Sequence, residues 1–142
     1  MNEDLPANLN AAIATEPAWL QSWVAVLIIV NLASILFVVW RDAGRWRVRL
    51  EPLAILMSFF VAAAAMGWIY EQFGYVRLLG LAHLVFWGPV FGWILYRRAE
   101  IGTTSLFGKY AHVYLVIAGI SLVIDSIDVL RYLVGDGQLL NR

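Results

Sequence analysis

The sequence predicts an all-α integral membrane protein of four transmembrane helices, packed as an antiparallel bundle and assembled as a homo-oligomer. Three observations carry that expectation. Of 142 residues, 62% are apolar and only 14% are charged, a balance that belongs to polytopic membrane proteins. The apolar residues are gathered into four long runs, each able to cross roughly 30 Å of hydrocarbon as a helix. None of the runs alternates with period two, and four segments could not close a barrel, so helices are the spanning structure.

Taken in order, residues 1–17 carry Glu3, Asp4 and Glu16 without a Lys or Arg, the reverse of the basic n-region of a secretory signal peptide. The apolar run that follows is too long for a signal h-region and is expected to stay in the membrane. Residues 5–15 are mildly amphipathic, with Leu5, Leu9, Ala12 and Ile13 at helical spacing, so this segment reads as an external tail or an interfacial helix. The four spans fall at residues 18–40, 53–70, 76–96 and 110–133 of a transmembrane domain covering 18–135, and residues 136–142 form an external tail. Pro17 and Pro52 stand near helix starts, where a missing N–H is harmless. Trp19, Trp23, Trp40, Trp46, Tyr70, Tyr75, Tyr96, Tyr110 and Tyr132 cluster at the ends as an interfacial aromatic belt.

The connections RDAGRWRVRLE and RRAEIGTTSLFGK hold Arg41, Arg45, Arg47, Arg49, Arg97, Arg98 and Lys109, whereas the opposite side holds Arg77, Arg131 and Arg142. The positive-inside rule therefore puts both termini on the extracytoplasmic side, with a bacterial inner membrane as the expected location. The short turn EQFGYVR makes the second and third spans hairpin neighbours. The residue 62–67 patch AAAAMG permits close helix approach, and Asn31 and Ser34 share a face that can hydrogen-bond across an interface.

Several function classes are excluded. Zero formal net charge and no dense basic block speak against nucleic acid as a partner. The absence of cysteine removes disulfides, thiolate metal sites and thiol catalysis. No phosphate loop, Ser/His/Asp set or zinc-protease spacing occurs, so neither an enzyme nor a cofactor is expected. His83 and His112 fall near opposite faces of the bilayer and cannot share a haem or a metal. A divalent ion held by Asp125, Asp128, His83 and Glu71 is sterically conceivable, although their spacing matches no metal motif.

The functional lead is SLVIDSIDVLRY, residues 121–132, where Asp125, Asp128 and Arg131 stand inside the last apolar run. Ionisable groups in hydrocarbon are expensive and mark ion or proton pathways. Tyr114, Ala118, Ser121, Asp125, Asp128 and Tyr132 recur in steps of four and three and form one helical stripe. His83 of the third span comes to matching depth, roughly 9 Å below the outer boundary. With Glu71, Arg77 and Arg131 just above, these groups form a layered cluster. Trp87 lies one turn below His83, and Pro89 is expected to kink the helix there, so Trp87 and Pro89 are candidate gate residues.

Two readings of that cluster follow. In one, Asp128 pairs with Arg131 at i,i+3, Arg77 answers Asp125 or Glu71, and the charges only hold helices together in a structural or accessory subunit of a larger complex. In the other, a small oligomeric proton or cation channel or transport protein uses Asp125, Asp128, His83 and Glu71 as its pathway, with Arg131 and Arg77 as counter-charges. The second reading rests on the acid left over once the arginines are paired, and on an imidazole whose ordinary pKa is about 6.5. Repeated around a symmetry axis, the stripe would make carboxylate rings of the kind that select cations.

Overall fold

The computed structural model describes residues 6–136. Four helices are long and apolar enough to cross a membrane: Ala18–Val38, Leu50–Phe73, Arg77–Ile101 and Leu106–Leu133. Ahead of them, α1 (Leu9–Ala14) starts at Asn8, whose side chain accepts a hydrogen bond from the Ala11 N–H. It is docked rather than frayed. Leu9 packs on the cluster of Ile69, Leu79 and Ala82, and the Tyr70 hydroxyl donates to the Pro6 carbonyl at 2.5 Å.

The first span is two helices, α2 (Ala18–Leu32) and α3 (Ile35–Val38). The break at Ala33 and Ser34 has a local cause. Ser34 directs both its backbone N–H and its hydroxyl to the Asn31 carbonyl, and the bonds that follow, Leu36 to Ala33 and Phe37 to Ser34, also close three-residue steps. Asn31 donates to the Leu27 carbonyl at 2.8 Å. Both side chains donate back to their own helix, and the Ser34 hydroxyl also meets that of Tyr110 across the helix interface. The Tyr110 hydroxyl crosses to this span, donating to the Val30 carbonyl at 2.7 Å.

The expected helical end of the first span is a strand instead. β1 (Val39–Asp42) pairs antiparallel with β2 (Arg45–Val48), Trp40 opposite Arg47 and Arg41 opposite Trp46. Ala43 at φ 47° and Gly44 at φ 81° make the two-residue turn, the twist that suits a tight hairpin. The alternation of Arg45, Trp46, Arg47 and Val48 is a strand signal outside the apolar runs.

Next comes α4 (Leu50–Phe73), with Glu51 in its first turn. It stops at Gly74, whose φ of 77° a side chain would oppose. A 3₁₀ turn over Arg77–Leu79 leads into α5 (Gly80–Ile101), which runs through Pro89 without interruption. α6 (Leu106–Leu133) is capped by Ser105, whose hydroxyl accepts from the Gly108 N–H at 2.9 Å. Most of the loop expected after the third span is therefore already helix, and only residues 102–105 connect α5 to α6. Helix α5 packs against both α4 and α6, and the Glu51 carboxylate pairs with the Arg97 guanidinium near the far end of α5. Inside, Ile55, Ile94, Tyr114 and Ala118 form one cluster, and Leu27, Ala62, Trp87 and Leu122 the next. Large apolar side chains such as Leu36, Val116 and Leu130 point outward, as a hydrocarbon solvent allows.

Candidate functional site

The stripe on α6 faces the helices of its own chain. Tyr114, Ala118 and Ser121 are buried, while Val116, Ile120, Val123, Ile124 and Ile127 on the other faces are exposed. Asp125 meets His83 of α5, Nδ1 to Oδ2 at 2.7 Å, with both side chains mostly covered. Against an ionised carboxylate, which can only accept, Nδ1 is the nitrogen that would donate. Ser121 adds a long hydrogen bond from its hydroxyl to the same carboxylate oxygen, 3.4 Å. Trp87 stacks beneath the imidazole, ring centroids 4.0 Å apart and planes 17° from parallel.

This meeting depends on Gly80. A Cβ placed there would stand 3.0 Å from the Asp125 Cβ and 3.1 Å from its Cα, so alanine fits only if Asp125 gives way by a few tenths of an ångström. Gly80 lies three residues before His83, on the same face of α5, and that spacing was the available signal for it in the sequence. Gly80→Ala is expected to destabilise the protein by about 1–3 kcal/mol, the usual range for overpacking. Thermal unfolding in detergent would measure it; an unchanged midpoint would refute the close approach.

His83 lines two clefts that flank α2. One, of about 1070 Å³, runs between α1, α2 and α4 and includes Glu71 and Trp87 in its lining. The other, of about 600 Å³, opens between α2 and α6 beside Asp125, Asp128 and Arg77. Both are lined mainly by apolar side chains.

The charges around the dyad are paired differently from the sequence expectation. Arg77 bonds Asp128 at 2.7 Å and Asp136 at 3.2 Å, in place of Asp125 or Glu71. Arg131 pairs with Asp136 at 2.8 Å, not with Asp128. The cause is the end of α6. Gly135, at φ 110°, lets the chain fold back so that the Gly135 and Asp136 N–H groups reach the Tyr132 and Arg131 carbonyls, a Schellman closure that brings Asp136 over the helix end. Asp136, read as the first residue of a tail, thus belongs to this network; the rest of that tail lies outside the described residues. Glu71 makes no ion pair among the described residues. Nor do those residues contain any group of three His, Asp or Glu able to hold a metal ion, so Asp125, Asp128, His83 and Glu71 do not converge on one. His112 is spent on the Gly108 carbonyl of its own helix.

Beside the smaller cleft, burial first, then the charge of Glu16, push the Tyr75 hydroxyl above the usual pKa of 10.0. The folded chain holds this proton to higher pH than the unfolded chain does. The associated stability is thus fully present below pH 10.0 and is lost as pH climbs through the higher folded value. Tyr75→Phe is expected to flatten the alkaline fall of the melting temperature, modestly because Tyr75 is only partly covered. A fall of equal slope in wild type and variant above that pH would contradict the assignment.

Comparison with protein-family models, with curated proteins and with solved structures found no match for this chain.

Proposed function

We propose that this chain is a small, non-enzymatic transport protein of the bacterial inner membrane that binds protons, the His83–Asp125 pair being its proton site. One observation carries the reading: Asp125 is the membrane-depth acid whose partner is an imidazole rather than an arginine. Asp128 is answered by Arg77, and Asp136 by both Arg77 and Arg131. Fixed pairs of that kind hold charge constant, whereas a neutral imidazole on a carboxylate becomes an ion pair when Nε2 takes a proton. Its position between two clefts gives that proton two routes of approach.

In this reading the four helices form an antiparallel bundle with both termini extracytoplasmic, as the distribution of Arg and Lys favours. Trp87 supports the imidazole from below and acts with Pro89 as the gate between the site and the membrane interior. The inward stripe favours one proton site in each protomer over carboxylate rings about an axis, so the carried species is a proton rather than a file of hydrated cations. Ala63 and Ala64 leave small residues exposed on α4, a face suited to close packing between copies in a homo-oligomer.

The test is proton movement in proteoliposomes under an imposed pH gradient or membrane potential, followed with an internal pH dye. Wild-type protein is expected to pass or exchange protons faster than empty vesicles. A correctly folded protein that stays silent under every gradient would instead favour the second reading, a structural subunit, which the Arg77 bridge and the Glu51–Arg97 pair support.

A further inference from the structure

The two ends of the helices differ in how their cations are satisfied. At the end that holds the site, Arg77 and Arg131 are both bonded to carboxylates. At the other end Arg47 pairs with Asp42, and Arg97 with Glu51 and Glu100. Among the described residues, Arg41, Arg45, Arg49, Arg98 and Lys109 have no carboxylate partner there. Aromatic rings hold some of them instead. The Arg49 guanidinium lies 4.7 Å from the Trp40 ring centroid and 4.2 Å from that of Phe107, and Arg41 lies 5.8 Å from Trp46. Such stacking fixes a guanidinium in place without neutralising it, and leaves its N–H edge free for a bidentate anion.

The place of these groups selects the anion. β1 and β2 continue directly from α3 and into α4, so the hairpin stands where apolar helices leave the hydrocarbon. Trp46 is 71% exposed and Leu106 74% exposed beside the arginines, an apolar and cationic surface side by side. We infer that the β1–β2 hairpin, with Arg41, Arg45 and Arg49, is a binding surface for the headgroups of anionic phospholipids. The phosphate is taken by the guanidinium edges, and Trp46 and Leu106 lie against the upper acyl chain. This surface is independent of the proton site and stands or falls separately.

Titration of the full-length protein in neutral detergent with fluorescent phosphatidylglycerol and phosphatidylcholine tests it. Phosphatidylglycerol is expected to bind at least about tenfold more tightly, with a preference that shrinks as salt is added. Each arginine removed should weaken it about fivefold, so a folded Arg41→Gln, Arg45→Gln, Arg49→Gln triple variant loses on the order of 100-fold. If the triple variant does not fold, Arg45→Gln alone, which disturbs no ring contact, should still lose about fivefold. Equal affinity of the wild type for the two lipids, or an undiminished preference in either folded variant, would overturn the inference. So would displacement of the lipid by inorganic phosphate at matching concentrations, since that result assigns the surface to free anions.

Discussion

Asp125→Asn is expected to cut proton flux in proteoliposomes on the order of a hundredfold, the low end of what a positioned proton-transfer group supplies. The substitution keeps the size of the side chain and so should leave the fold intact, which circular dichroism would confirm. Two things are lost. An amide cannot balance an imidazolium, and it can turn its NH₂ toward Nδ1, which moves the ring proton to Nε2 and blocks the accepting nitrogen. His83→Gln should reproduce the defect, because it removes the titrating atom itself. Asp128→Asn should retain most of the flux, since its carboxylate is held by Arg77. Full flux in a folded Asp125→Asn protein would remove the dyad from the mechanism, and a larger loss in Asp128→Asn would transfer the role to that residue.

The second large effect is one of stability. Arg77→Gln leaves Asp128 and Asp136 facing each other without the cation that joins them. With 21% of the Arg77 side chain and 28% of the Asp128 side chain exposed, the loss is expected at about 2 kcal/mol, between the values for surface and buried pairs. Adding Asp128→Asn should recover about 1 kcal/mol, because it removes the stranded charge. Reversible unfolding in mixed micelles, applied to both single variants and the double, gives the coupling directly. Additive losses would mean that the bridge is not energetically coupled, and would weaken the structural-subunit reading that depends on it.

These expectations divide along a physical line. Hydropathy sums over whole segments, so the four helices long and apolar enough to cross a membrane are legible in composition, although their ends differ by up to five residues because flanking turns continue the helices. Periodicity placed Asp125, Asp128 and Ser121 on one stripe, and hydrocarbon thickness put His83 at their depth. The hairpin is not legible in hydropathy, because its strand signal is an alternation of residue types within the charged connection RDAGRWRVRLE.

What the sequence alone determined about SLVIDSIDVLRY is that its charges share a helix face and cannot be left bare in an apolar medium, since both facts follow from local geometry and solvation. Which partner answers which charge was decided only by the tertiary structure. Gly80 brings α5 close enough for His83 to take Asp125, and the Gly135 turn carries Asp136 back to Arg131 and Arg77. Several acids compete for each arginine at similar sequence distance, and ångström-scale approach between helices settles the competition.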